Sequence, residues 1–393
     1  MKKSLIALAA LAATASFAQS SVSITGVLDA GYKSTTHTDG TKKANTVFNN
    51  GVSTSQFDFV GTTDLGGGLK AGFFMELDVN PSYSSTLNQA SGGSAAFSGT
   101  PFTGQQVVSL EGNFGRVKVG SPDSSALDAG LVAQPFGTAL GSGYSAGFAR
   151  LGTASVSGLN QYVGGPNSSG RIIRSEKAVR YDTPAFSGFS GSFEYSAKNA
   201  NSTTVTSNNN GFQALGLRYA NGPLTVQYSN AKAEAGAVGA AGSMTTWGTA
   251  AANALAANQN VKWNLLGANY NFGATTVYAG YTTTKASDNT EDSKSWNIGA
   301  KYTIGNIDLL ANYLERKSNL ADVVSSGVYT SANGLYPKAK LTGLGANYNF
   351  SKTVLAYYRF ERVQNISTVL GSASGNNLSQ DQTVNAVGLV VKF

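Results

Sequence analysis

Charged side chains are scarce in this chain, so the few that recur at strand spacing stand out. Arg116 and Lys118 lie two apart in GRVKVG, interleaved with Val117 and Val119. Arg174, Glu176, Arg180 and Asp182 keep a common parity further on. Residues two apart on an extended strand share a face, so each set presents a row of fixed charge to one side of a sheet. Between the sets lies 122–173, which adds Asp123, Asp128 and Arg150. Rows like these act on passing ions and dipolar solutes. They do not amount to a covalent mechanism. The chain has a single histidine, His37, in an expected outer loop, and no cysteine, so a hydrolytic triad or a histidine-ligated metal site has almost no material. Gly66-Gly67-Gly68 before Leu69-Lys70 lacks the Gly-Lys-Ser/Thr ending of a phosphate loop and reads as a hairpin turn. Glu291 and Asp292 read as solvated loop carboxylates. No catalytic residue, no metal and no cofactor is expected.

Something must position those rows, and composition narrows what. Charged residues make up 12% of the chain, about half the share usual in soluble domains. The apolar fraction, 41%, is not raised to match. Beyond the N-terminus no stretch of ~20 apolar residues exists, which excludes transmembrane helices. With 18 tyrosines and 19 phenylalanines the chain is too aromatic for disorder. Residues 1–18 read as a secretory signal peptide: Lys2 and Lys3, an apolar run from Leu5 to Ala13, then Ser16-Phe17-Ala18 as the cleavage site. Without Lys2 and Lys3, the 28 basic residues become 26 against 21 acidic ones, a net charge near +5. That charge is spread along the chain, so nucleic acid is not an expected partner.

Past the signal the dominant period is two. Val22, Ile24, Leu28, Ala30 and Tyr32 alternate with Ser23, Thr25, Asp29 and Lys33, and Val387, Leu389, Val391 and Phe393 repeat the theme at the end. Strands are predicted at 21–33, 53–65, 69–80, 104–112, 115–121, 174–183, 189–199, 211–220, 223–232, 261–272, 274–285, 294–305, 306–316, 338–350, 352–363 and 382–393, sixteen in all. Tight turns rich in Gly and Asn, such as Asn221-Gly222 and Gly305-Asn306, alternate strictly with long polar connections. The long ones are 34–52, 81–103, 122–173, 200–210, 233–260, 286–293, 317–337 and 364–381. Such alternation places all the turns at one end and all the long loops at the other. It is the pattern of an all-β, antiparallel up-and-down transmembrane barrel. Aromatics near strand ends, among them Tyr32, Phe57, Tyr219, Tyr270, Phe272, Tyr302, Tyr348 and Phe350, fit girdles at the lipid–water boundary.

A sixteen-stranded barrel is too wide for its own side chains to fill. The aperiodic, glycine-rich stretch 122–173, with Pro122, Pro135 and Pro166, is long enough to fold inward and narrow a water-filled lumen. A charge facing lipid at mid-bilayer costs ~2–4 kcal/mol, so parity assigns Lys70, Arg116, Lys118, Arg174, Arg180, Arg218, Lys301 and Arg359 to the lumen. It assigns Asp29, Asp58, Glu76, Asp78, Glu111, Glu176, Asp182 and Glu194 there as well. The alanine-rich stretch 233–260 reads as a short helix or a loop over the barrel mouth.

The segments QSSVSITGVLDAGY, GTTDLGGGLKAGFFMELD (61–78), GNFGRVKVG (112–120) and RYDTPAFSGF (180–189), with a last strand ending in Phe393, resemble the Gram-negative general-diffusion porins. The resemblance is to their β-proteobacterial branch in particular. It implies a homotrimer of sixteen-stranded barrels spanning the outer membrane, in contact with its lipid including lipopolysaccharide. Each barrel would have its third long loop folded inward as a constriction, and Phe393 would be the assembly signal. Where relatives commonly carry arginine, this chain has Gln56, Gln105 and Ser121-Pro122. Arg116 and Lys118 stand where relatives are more often neutral. Residues 19–393 are therefore expected to form a passive channel for small hydrophilic solutes and ions. A mild anion preference is expected from Arg116, Lys118, Arg174 and Arg180 beside Asp123, Asp128 and Arg150. The alternative is a surface adhesin or receptor that uses the long loops, with the barrel as its anchor.

Overall fold

A computed structural model describes residues 20–37, 43–81, 104–142, 174, 177–198, 211–234, 260–287, 292–318, 322–325, 328–331, 338–364 and 382–393. The signal segment 1–18, residues 143–173 with Arg150, Glu176, and 235–259 of the alanine-rich stretch lie outside the described residues.

The wall begins with β1 (Ser21–His37), β2 (Lys43–Phe48), β3 (Gln56–Gly66), β4 (Leu69–Asp78), β5 (Gln106–Gly112) and β6 (Gly115–Ser121). A helix, α1 (Ser125–Val132), follows. Then come β7 (Ala178–Asp182), β8 (Phe189–Ser196), β9 (Gly211–Asn221), β10 (Leu224–Glu234), β11 (Asn260–Asn271), β12 (Thr275–Ala286), β13 (Asp292–Ile304) and β14 (Ile307–Ser318). A separate two-stranded sheet, β15 (Asp322–Ser325) with β16 (Val328–Ser331), precedes β17 (Lys338–Asn349), β18 (Val354–Gln364) and β19 (Gln382–Lys392).

Each wall strand pairs antiparallel with its neighbour, and β19 returns to β1 from Val27↔Lys392 to His37↔Gln382, which closes the sheet. β2 and β3 both pair with the other edge of β1, β3 along Ser21 to Val27 and β2 along Gly31 to Thr36. Together they make one interrupted stave, so seventeen strands form a barrel of sixteen. Strand ends fall within a few residues of the predicted ones. The exceptions are β1, which continues to His37, β2, which occupies part of the expected loop 34–52, and β15 with β16, which lie within the expected loop 317–337. Gly222 (φ 56°) and Gly305 (φ 55°) adopt the left-handed backbone that the tight turns need.

The wall is inverted relative to a soluble sheet. On β13 the exposed side carries Trp296, Ile298 and Tyr302, while Ser293, Ser295 and Asn297 are buried. Apolar side chains outside and hydroxyls and amides inside suit a wall bathed in hydrocarbon. In that solvent every backbone polar group must pair internally, and closure achieves this. Aromatic pairs mark the turn end of the outer face: Tyr270 with Phe272 at 4.5 Å, Tyr348 with Phe350 at 4.9 Å, and Phe189 with Tyr219 at 4.5 Å. Trp296 and Tyr313, 5.5 Å apart, mark the other end.

The inner face is not polar throughout, as strict alternation would have it. On β9 to β11 it carries Phe212, Ala214, Ala231, Ala233, Val261, Trp263 and Leu265, all buried in one cluster with Ala126 and Ala129 of α1. An eight-residue helix is too short to hold its shape alone. Packing on that cluster supplies what its length does not.

Candidate functional site

Residues 122–142 run along the buried face of the wall as a belt. Ser124 caps α1, its hydroxyl accepting from Leu127 N at 3.1 Å. Ser125 N donates to the Glu194 carboxylate at 2.7 Å, and Ser125 and Ser229 share a 2.8 Å hydroxyl contact. The last carbonyls of a helix lack partners of their own. Here Asn269 donates to Val132 O at 3.1 Å and Asn297 to Ala133 O at 2.7 Å. Farther on, Gly141 N donates to Glu361 at 2.8 Å, and Leu140 N reaches Asn50 O at 3.3 Å. Small wall residues let the belt lie close. A Cβ at Gly267 would collide with the Ala129 carbonyl, one at Gly280 would stand 2.8 Å from Ala133 Cβ, and one at Gly299 would stand 2.7 Å from Pro135 Cδ.

The charged residues gather where the belt starts. Arg174 Nε donates to Asp123 at 2.7 Å, and its guanidinium lies 3.3 Å from Glu76. Arg180 bonds Asp128 and Asp182, each at 2.7 Å, as well as the Asp123 carbonyl at 2.6 Å, and lies 3.4 Å from Glu194. Lys118 lies 3.1 Å from Asp182. In register Lys118 faces Arg180 directly, an arrangement that would repel without Asp182 bridging both. Arg116 pairs with Glu111 near the turn end, and its side chain is 46% exposed. Thus Arg174, Arg180, Asp123 and Asp128 meet in one network, Lys118 joins it through Asp182, and Arg116 stands apart. Burial pushes the Asp123 carboxyl above its ordinary value, and the adjacent Arg174 pulls it back. A cavity of about 240 Å³ opens beside this network, lined by Asp128, Arg180, Asp182 and Arg218 among others. Arg218 makes no ion pair among the described residues. No group of three or more potential metal ligands occurs among the described residues.

A second inward element went unread in the sequence. Between β2 and β3 residues 49–55 leave the ladder and lie against β1 and β18. The buried Asp29 carboxylate accepts from Val52 N at 2.7 Å, Ser53 N at 3.0 Å and the Tyr357 hydroxyl at 2.7 Å. Arg359 Nε donates to Gly51 O at 2.9 Å. Any side chain at Gly51 would overlap the Tyr357 ring. This strap meets the end of the belt at Asn50. Parity did place Asp29 and Arg359 on the inner face, but it gave no sign that a strap would bind them. Phe393 sits at the seam, donating to Gly26 O at 3.1 Å and accepting from Gly26 N at 2.9 Å, with its ring 5.4 Å from Phe57.

Comparison with known proteins agrees with this architecture. The family model described as Gram-negative porin matches residues 5–366. Outer membrane porin protein 32 of Delftia acidovorans is 34% identical over 230 residues, which is 57% of this chain and 58% of that one. Major outer membrane protein P.IB of Neisseria gonorrhoeae is 32% identical over 234 residues, 58% of this chain and 56% of that one. The match therefore spans under two thirds of these relatives' length. Among solved structures, the anion-selective porin from Comamonas acidovorans superposes with a TM-score of 0.69 at 23% identity, over 95% of this chain and 100% of that one. A Vibrio cholerae outer membrane protein in its trimer form gives 0.59 at 14% identity, over 95% and 99%. With a closed wall of sixteen staves, an apolar exterior and a family match over most of its length, this chain belongs to the Gram-negative porin family of the outer membrane.

Proposed function

We propose that the chain is a passive diffusion channel for small hydrophilic solutes and ions, not an enzyme, and works as a homotrimer among outer-membrane lipid including lipopolysaccharide. The observation that carries this reading is the belt 122–142 seated on the buried face of a barrel too wide to plug itself. In the proposed pore the whole of 122–173 is the constriction loop, residues 1–18 are the removed signal peptide, and Phe393 at the seam is the assembly signal. The trimer form of the Vibrio cholerae relative in fold supports the assembly.

The finer reading is a mild anion preference set near the constriction by Arg116, Lys118, Arg174, Arg180 and Arg150 against Asp123 and Asp128. Pairing of Arg174, Arg180, Lys118 and Arg116 with carboxylates keeps the net field small, which supports "mild". Arg218 lines the same cavity and makes no ion pair among the described residues, whereas Asp128 and Asp182 there are paired with Arg180 and Lys118, which tips the sign toward anions. The structural neighbour is itself titled anion-selective. The test is the reversal potential in planar bilayers under a salt gradient. Wild type should show stepwise conductance with a small anion bias, and Arg116→Glu with Lys118→Glu should shift it toward cations. A silent bilayer sinks the channel, and an unmoved reversal potential sinks the residue assignment.

A further inference from the structure

We propose that the cavity beneath α1 is a binding subsite for small carboxylates that carry a hydrogen-bond donor on the neighbouring carbon, the chemistry shared by α-amino and α-hydroxy acids. Its floor is one inward row across three strands. Ser190 of β8 stands directly opposite Arg218 of β9, and Arg218 directly opposite Gln227 of β10. Residues paired in this way lie about 5 Å apart, so the row spans ~10 Å. The roof is α1, which contributes Asp128. It sits low because the adjoining row has no side chain at Gly216, where a Cβ would stand 2.8 Å from Ser125 Cβ. The row lies close to the Asn221-Gly222 turn, so a solute meets it on the short-turn side of the belt.

Several groups in this lining hold no partner of their own. Gln227 is 3% exposed and faces the cavity, yet its amide makes no hydrogen bond among the described residues. The buried Ser192 hydroxyl, also in the lining, makes none there either. Buried polar groups left unmet are costly, so each of these invites a guest. Of the two arginines in the lining, Arg180 is spent on Asp128, Asp182 and the Asp123 carbonyl. Arg218 makes no ion pair or side-chain hydrogen bond among the described residues. A guanidinium offers a carboxylate two parallel donors. Gln227 can add its NH2 to the same carboxylate and turn its Oε1 to a donor beside it. Asp182 gives one oxygen to Arg180 and the other to Lys118. Asp128 gives Oδ2 to Arg180 and keeps Oδ1 for a donor. An inorganic anion would meet Arg218 but also that unspent carboxylate oxygen, and a neutral polyol would leave Arg218 unmet. The volume of about 240 Å³ equals that of roughly eight liquid waters, which suits an acid of about three carbons.

The subsite rests on the channel reading for the solute's way in, but its occupancy is read without conduction. The test is saturation-transfer NMR titration of the folded protein in detergent with L-serine, L-lactate, propionate and propylene glycol. Propionate keeps the carboxylate and lacks the neighbouring donor, and propylene glycol lacks the carboxylate. Wild type should bind serine or lactate roughly tenfold or more tighter than either, given the strength of hydrogen bonds to charged groups. Serine alone or lactate alone above propionate supports the site and names the source. Arg218→Gln should weaken the favoured acid about tenfold, and Gln227→Leu should erase its advantage over propionate. Equal binding of serine, lactate and propionate by wild type, or no saturable binding of any, overturns the subsite without recourse to a variant. So does undiminished binding in a folded Arg218→Gln barrel. A silent bilayer with intact discrimination among the acids would remove the channel reading alone.

Discussion

The belt crosses two unlike walls. Where it starts, β4, β6, β7 and β8 present Glu76, Lys118, Arg180, Asp182 and Glu194, and the belt answers with Asp123 and Asp128. Further on, β11 to β14 present Gly267, Gly280, Gly299, Asn269, Asn297 and Asn312, and the belt answers with backbone. The first contact is electrostatic and adjustable, because a guanidinium can trade partners. The second is steric, because a glycine leaves room for one approach only. The belt is therefore fixed in position by the neutral wall and given its charge by the other.

Breaking the charged side should have the largest effect. Arg180→Met leaves Glu194, 0% exposed, without its cation. Removing one partner of a buried pair costs ~3–5 kcal/mol, readable as a lower midpoint in urea unfolding of the isolated barrel. Next comes the neutral side: Gly267→Ala forces a methyl against the Ala129 carbonyl, and overpacking of this kind costs ~1–3 kcal/mol. The comparison predicts more than a stability loss there, since a belt lifted off its wall moves toward the axis and lowers single-channel conductance. An unchanged conductance in Gly267→Ala would mean that the belt is not held sterically. Asn297→Ala should cost ~1–3 kcal/mol by leaving the Ala133 carbonyl unpaired, with selectivity unaltered. The smallest effect is a titration. Because burial raises Asp123, it takes up its proton at a higher pH than an exposed aspartate. Falling pH should then uncover the charge of Arg174 and move the reversal potential toward anions. Asp123→Asn should show less of that movement.

The wall was legible because lipid imposes one rule on every strand: β13 from Trp296 to Ile304 and β17 from Leu344 to Tyr348 turn apolar residues outward at alternate positions. The interior was less so, because two solvents compete there. Trp263, Leu265 and Val261 point inward where a water-filled lumen would call for polar residues, and they do so because α1 covers them. Helix α1 itself was hidden by its composition. SALDAGLV is small and apolar on most sides, with only Ser124 as a starting signal. Parity placed Arg180 and Glu194 on one face but could not say that they would meet, since a partner is chosen by the packing of β6 to β8. Strap 49–55 has neither period nor charge, and its anchors Asp29 and Tyr357 are separated by most of the chain.

The ladder from Val27↔Lys392 to His37↔Gln382 has a temporal consequence. The partner of the first stave is the stave most distant from it along the described strands, so the cylinder cannot be sealed until all the staves between them are in place. Until then β1 keeps a bare edge of the sort that invites aggregation. A polypeptide that lacks β19 would stay unzipped along this edge.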